Sequence, residues 1–275
     1  MTVAPAVKPR PQSTLTVLRT EWLGEHMVRV IAGGAGFSDF TANGFTDMYV
    51  KIHFPQPDVD YPEPVDVFAL REFLPRDQWP ATRTYTVRWV NRTTQELAID
   101  FVVHGDEGLA GPWAAAASPG DRLIISGPGG AYSPDPAADW YLLAGDEAAL
   151  PAIAAAVESL PEDAFGQVFL EVDGEADIQD IAAPPGVELV WLLREGQPAG
   201  TSALLVDAVA GAQWHHGRVD VFAHGERGYM KALRDVLFTE RGLERSQVSL
   251  SGYWARGRNE DYFQAEKKEP VGRIL

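Results

Sequence analysis

The chain contains no cysteine. That absence excludes disulfides, thiolate-bound zinc and cysteine-ligated iron–sulfur clusters, so any redox chemistry falls to an organic cofactor or a visiting metal. Positive charge is scarce as well: 23 Lys and Arg stand against 39 Asp and Glu, a formal net charge of −16. A chain this acidic is repelled by phosphate backbones and anionic lipid, which argues against nucleic acid or a membrane surface as partner and leaves at most local basic islands. Long apolar runs are missing too. The most apolar stretch, 141–157, is broken by Asp146 and Glu147, so no segment reads as a membrane span. The histidines, His26, His53, His104, His215, His216 and His224, show no metal-ligand spacing such as His-Glu-x-x-His, and no metal site is expected.

At 275 residues there is room for two domains of ordinary size. Residues 1–14 begin Pro-rich, with no apolar signal-like core, and read as a disordered lead-in to a cytoplasmic protein. Residues 15–136 carry short β-branched-rich runs separated by turn residues: 15–18, 26–31, 47–54, 83–90, 96–103 and 121–126. Six such strands with one brief helix predict a closed antiparallel barrel. A long Pro-rich acidic loop, 54–81, interrupts them, as a functional loop or an insertion.

The stretch from Arg83 to Ala117 is the most informative. Alternation along Arg83-Thr84-Tyr85-Thr86 puts a guanidinium and a phenol ring on one face of a strand. Further on, Gly111-Pro112-Trp113-Ala114-Ala115 reads as the start of a short helix, whose free N–H groups favour an anion. The segment by itself fits a ring-stacking strand facing a diphosphate turn, or an edge strand followed by an ordinary loop.

Residues 137–275 change rhythm to strand, helix, strand. Strands are expected at 140–144, 168–172, 189–193, 219–223 and 248–254, with helices over 148–160 and 229–241. This predicts a parallel sheet with crossover helices, and ligands of such sheets lie at the carboxyl ends of the strands. Those ends carry Gly145-Asp146, Asp173-Gly174, Arg194-Glu195-Gly196, His224-Gly225-Glu226 and Tyr253-Trp254. No G-x-G-x-x-G follows the first of them. A barrel followed by a nucleotide-type domain is the arrangement of flavin reductases.

Seven motifs in order, from Tyr49-Val50-Lys51-Ile52-His53-Phe54-Pro55 and Arg83-Thr84-Tyr85-Thr86-Val87-Arg88 through Asp100-Phe101-Val102-Val103-His104-Gly105, Gly111-Pro112-Trp113-Ala114, Ala144-Gly145-Asp146-Glu147 and Trp191-Leu192-Leu193-Arg194 to Gly252-Tyr253-Trp254, resemble the siderophore-interacting proteins. These are ferric-siderophore reductases among the ferredoxin-reductase-like flavoproteins. The resemblance implies an FAD-binding barrel, an NAD(P)H-binding α/β domain, and NADH or NADPH reducing siderophore-bound iron(III) in the cytoplasm. It implies that Arg83, Tyr85 and Thr86 hold the flavin, with His104 near its nucleotide end and Gly111, Trp113, Ala114 and Ala115 at the diphosphate. Asp146 and Glu147 would line the nicotinamide side. Read from the residues alone, Tyr253-Trp254 either covers the flavin ring or caps the sheet. The chain departs from the family pattern at Ala148, where a Thr is usual, and at Arg227, which either meets a phosphate or narrows the cleft.

Hydride transfer needs no acid–base pair, so no catalytic side chain is assigned. Lys51, with Arg256 and Arg258 as companions, is expected to meet the anionic ferric siderophore, whereas Lys267-Lys268 reads as a solvated face. Glu171 or Asp173 at a ribose points to NADH, and Arg194 at a phosphate to NADPH, so the donor stays open. The competing readings are a general flavin or quinone reductase and a non-catalytic siderophore-binding protein. The expected state is a monomer.

Overall fold

The computed structural model describes residues 11–105 and 108–275. Most of the expected lead-in, residues 1–10, lies outside the described residues. Its last part does not: the first strand, β1 (Gln12–Trp22), begins three residues before Leu15. The reason is pairing, since Gln12, Ser13 and Thr14 sit opposite Ser126, Ile125 and Ile124 and close the barrel there.

The barrel runs β1, β2 (Met27–Gly33), β3 (Tyr49–Phe54), β4 (Ala81–Asn91), β5 (Glu96–Val102) and β6 (Arg122–Gly129), in the spatial order β1-β2-β5-β4-β3-β6, closed and antiparallel. Alternation decides which side chains fill it. In β1, Ser13, Leu15 and Val17 are buried and the residues between them are exposed. Val30, Val50, Ile52, Ile99, Phe101 and Leu123 join them in one core. The loop between β3 and β4 carries a four-residue helix, α1 (Leu70–Phe73). Its Val65, Val67 and Leu70 pack on Ile124, on the outside of the barrel. After β5 comes α2 (Ala110–Ala116).

The second half is a five-stranded parallel sheet in the order β11-β10-β7-β8-β9. It comprises β7 (Trp140–Asp146), β8 (Phe165–Val172), β9 (Gly186–Leu193), β10 (Val219–Glu226) and β11 (Val248–Trp254). Every residue of β7 is buried because both faces are covered. Tyr141 and Leu143 face α3 (Leu150–Glu158), while Trp140, Leu142 and Ala144 face α4 (Leu204–Ala210) and α5 (Arg227–Arg234). Leu142 and Leu143 are wholly buried, each contributing about 2 kcal/mol by area alone. Neither α4 nor the C-terminal α6 (Glu260–Glu266) was expected from the sequence.

α3 lies close against β7 because small residues allow it. A β-carbon on Gly145 would come within 2.6 Å of the His224 carbonyl and 2.7 Å of the Ala149 methyl. Gly225, at φ 151°, brings the end of β10 against the Asp146 carboxylate in a conformation that disfavours other residues. Between the halves, Asp47 Oδ1 accepts the Ala131 and Tyr132 amides, and the Tyr132 hydroxyl donates to Asp220 at 3.0 Å. The seam therefore carries specific hydrogen bonds.

Candidate functional site

A cleft of about 490 Å³ lies between the barrel and the carboxyl end of the parallel sheet. Its barrel wall is built by β3 and β4, which pair so that Val50 faces Tyr85, Lys51 faces Thr84 and Ile52 faces Arg83. All four residues of the Arg83–Thr86 run line it, with Tyr49, Lys51, Asp100, Val102 and His104. The opposite wall is Glu147, Ala148 and Pro151 at the start of α3, with His224, Ser251, Tyr253 and Trp254 from the ends of β10 and β11. Glu260, Gln264 and Lys267 close one side from α6 and the residue after it. None of the Pro-rich loop reaches the cleft.

Tyr85 is positioned through its neighbours. Its ring centroid is 4.4 Å from that of Phe101, and Phe101 stands 5.7 Å from Trp113, which also packs edge-on to Phe54 at 5.5 Å. Trp113 thus buttresses the ring from behind. Burial pushes the Tyr85 hydroxyl's pKa up, so it remains a neutral phenol. The Arg83 guanidinium donates to the Thr82 carbonyl at 2.8 Å and lies 3.6 Å from Asp261, an exposed partner.

α2 itself stands back from the cleft. Gly111 and Ala114 are buried, and a β-carbon at Gly111 would approach the Val102 carbonyl at 2.9 Å, so the glycine serves close packing of α2 on β5. Ala115 is exposed. The Gly111–Ala115 run is therefore behind or beside the cleft rather than among its lining residues.

The acidic pair expected at the nicotinamide side divides. Asp146 is buried and bound from three directions: Oδ2 accepts Trp254 Nε1 and the Glu226 amide, each at 2.8 Å, and Oδ1 accepts the Ala148 amide at 3.1 Å. Burial, then the neighbouring Glu147 charge, pushes its pKa up to about 7. Glu147 lines the cleft but is held from behind by Arg194, at 2.6 Å.

Arg194 is not among the cleft-lining residues. It is buried among Glu147, Asp173 at 3.5 Å and Glu171 at 3.7 Å, so its guanidinium neutralises carboxylates that the ends of β7 and β8 bring to it. Glu171 is wholly buried and takes hydrogen bonds from Ser202 Oγ at 2.6 Å and Tyr229 Oη at 3.1 Å. Arg256 is exposed and outside the cleft lining; its backbone amide donates to Glu226. Arg227 pairs with Glu266 at 2.6 Å and lies over the Phe263 ring, which anchors α6.

Several lining residues were given no site role in the sequence reading, Glu260, Gln264 and Lys267 among them. Lys267, read there as solvated, lines the cleft with its ammonium 4.8 Å from the Phe263 ring centroid. Although its side chain as a whole is exposed, desolvation at the ammonium and the nearby Lys51 charge hold its pKa below the ordinary lysine value, against the opposing pull of Glu260. His224 is buried, stacked on Phe222 at 3.8 Å, with Nε2 2.9 Å from Ser249 Oγ and Nδ1 without a partner among the described residues. Burial lowers its pKa to about 3, so it is neutral at physiological pH. Tyr253 stands edge-on to His224 at 5.0 Å. The sequence placed it within Gly252-Tyr253-Trp254, at the end of β11.

The chemistry of this donor set fits a flavin. An aromatic face (Tyr85), a hydroxyl beside it (Thr86) and a guanidinium two residues upstream (Arg83) line one wall, and a second aromatic pair lines the other. His224 Nδ1, in the same wall, is a buried polar atom without a partner among the described residues.

The family model described as Siderophore-interacting FAD-binding domain matches residues 16–132, and that described as Siderophore-interacting protein matches 138–257. An uncharacterized protein of Mycobacterium tuberculosis is 47% identical over 272 residues, covering 94% of this chain and 96% of that protein. Ferric vibriobactin reductase ViuB of Vibrio cholerae is 33% identical over 260 residues, covering 92% and 93%. The crystal structure of the siderophore-interacting protein SipS from Aeromonas hydrophila superposes with a TM-score of 0.80 at 31% identity, covering 96% of this chain and 99% of that one.

Proposed function

This chain belongs to the siderophore-interacting protein family, and from that premise we propose that it is an FAD-dependent NAD(P)H:ferric-siderophore oxidoreductase, working as a monomer in the cytoplasm. The observation that carries the reading is the cleft itself. The whole Arg83-Thr84-Tyr85-Thr86 run opens onto the same space as the carboxyl ends of β10 and β11, so donor and acceptor would meet at one ring.

Bound FAD would accept a hydride and pass on single electrons, which protein side chains do not do. Tyr85 would stack on its ring, Thr86 would hydrogen-bond its edge, and Arg83 would offset its negative charge. His104 reaches the barrel end of the cleft, near where the nucleotide portion would lie. Glu147, Ala148 and Pro151 form the floor on which the nicotinamide would rest, and Asp146 fixes that floor by tying α3 to Trp254 and Glu226. Ala148 offers no hydroxyl there, so the floor would meet the nicotinamide through apolar contact and the Glu147 carboxylate.

Lys51 and Lys267 would meet the ferric complex. Iron(III) is a hard cation bound far more tightly by oxygen donors than iron(II), so one electron releases the metal while the ligand stays whole. The Gly111–Ala115 run is not among the cleft-lining residues, so its amides would serve the diphosphate only where that group extends past the end of β5.

The test is an absorption spectrum of the purified protein. Flavin bands that bleach on anaerobic NADH or NADPH, and return on adding ferric siderophore faster than on adding quinone, are the expected result. Protein that stays colourless after incubation with FAD would overturn the reading.

A further inference from the structure

The acceptor side of the cleft contains a carboxylate that has no ion-pair partner of its own. Of the acidic residues lining the cleft, Asp100 is held bidentately by Arg29, at 2.6 and 2.8 Å, and Glu147 by Arg194. Asp47 receives two backbone amides. Glu260, on the first turn of α6, is different. Its Oε1 accepts Thr84 Oγ1 at 2.9 Å and Gln264 Nε2 at 2.9 Å, both neutral donors. The same Thr84 hydroxyl accepts Lys51 Nζ at 3.2 Å, so one oxygen links the carboxylate to the lysine. No Lys or Arg nitrogen lies within ion-pair distance of Glu260 among the described residues, and its charge is felt at Lys267, on the same side of the cleft.

Resting on the acceptor reading above, we propose that Glu260 is a specificity-determining residue: it stands as a built-in anion among Lys51, Arg83 and Lys267 and sets how much negative charge an incoming ferric complex can carry. Three cations face the site, against Glu260 and the exposed Asp261. Asp261 is largely screened by water, whereas Glu260 is half-buried and is not. The site as built therefore suits a neutral or weakly anionic complex. A multiply charged one gains from the lysines and loses to the carboxylate.

Redox-inert gallium(III) complexes separate this from electron transfer, because gallium(III) has the charge and nearly the size of iron(III) and is not reduced by flavins. The FAD-loaded protein is titrated, by tryptophan fluorescence and calorimetry, with gallium tris-catecholate, a trianion, and gallium tris-hydroxamate, which is neutral and of similar shape. Glu260→Gln keeps an oxygen for Thr84 and Gln264 but removes the charge. It is expected to tighten catecholate binding about tenfold and to leave hydroxamate binding within about twofold. Adding Lys267→Gln to it should return catecholate affinity toward the wild-type value. Unchanged affinities in Glu260→Gln would show that the carboxylate only scaffolds α6, and equal tightening of both complexes would show a steric effect; either overturns the inference while the acceptor reading stands. If the wild-type protein binds neither complex, the acceptor reading fails and the inference falls with it.

Discussion

Arg88 of β4 donates both terminal nitrogens to Glu158 of α3, at 2.8 and 2.5 Å, across the seam between barrel and parallel sheet. The guanidinium is buried and its Nε has no partner, while the carboxylate keeps a third of its surface in water. The two ends of the pair are therefore unequal. Glu158→Ala strands a buried cation and is expected to cost about 3 kcal/mol, whereas Arg88→Met lets the carboxylate rehydrate and costs nearer 1 kcal/mol. Urea unfolding of both variants and of the double variant measures this. The double variant should be more stable than Glu158→Ala alone, and simple additivity would mean the pair is not coupled.

A second clasp titrates. His26, in the turn between β1 and β2, places Nδ1 2.8 Å from Asp177 Oδ2 in the segment after β8, and its backbone amide donates to Oδ1. The hydrogen bond to Asp177 raises the His26 pKa above 6.5 despite partial burial. For Asp177 burial acts the other way, but the bonds from His26 outweigh it and its pKa is lowered. A raised histidine contributes stability that is complete below its ordinary value and lost as pH rises through the folded-state value; the lowered carboxylate sets the acid limit. The midpoint difference in thermal unfolding between wild type and His26→Gln should be largest near pH 5–6 and shrink above neutrality. A difference that grows with alkali would contradict it.

The barrel strands were legible as short β-branched-rich runs between turn residues, and the parallel strands because both of their faces are apolar. Arg83 to Thr86 could be read as a unit since β4 keeps them adjacent. Lys267 could not: it sits in a charged stretch, Glu266-Lys267-Lys268-Glu269, and it reaches the cleft because Arg227 holds α6 through Glu266 and Phe263. The surroundings of Arg194 were not legible for a related reason. Glu147, Glu171 and Asp173, which enclose it, come from two other strand ends that are neighbours only through the β7-β8-β9 order. His224 looked like any strand-end histidine until its unpartnered Nδ1 and the cleft were seen together.

Asp146 gives a slope with pH that a neutral replacement removes. Its ordinary value is 3.8 and burial with the Glu147 charge carries it up to about 7. Between those limits the unfolded chain has lost the proton and the folded one holds it, so stability falls as pH rises, by as much as about 1.4 kcal/mol per pH unit, and levels off above pH 7. Asp146→Asn should abolish that component. Its amide nitrogen will oppose either the Ala148 or the Trp254 donor and shift the whole curve by a constant, so the slope of unfolding free energy from about pH 4 to 7 is the readout. Parallel curves for wild type and variant would show that the carboxyl is ionised throughout.

The two walls of the cleft should separate by mutation. Tyr85→Ala removes the ring that Phe101 and Trp113 hold in place, and Arg83→Ala removes the nearest guanidinium; each is expected to weaken FAD retention by about 10- to 100-fold, seen as loss of flavin absorbance on dilution and recovered by FAD titration. Lys51 is bound to Thr84 rather than to the Tyr85 face, so Lys51→Ala should retain FAD within about twofold. Its effect should appear when reduced protein is mixed with ferric siderophore, as an acceptor step slowed by about tenfold and a weaker dependence on ionic strength. Tyr85→Ala reconstituted with excess FAD should show the acceptor step largely intact, because its loss is one of binding. If Lys51→Ala instead strips the flavin and leaves the acceptor step untouched, the lysine belongs to the flavin seat, and Lys267 alone is left to meet the ferric complex.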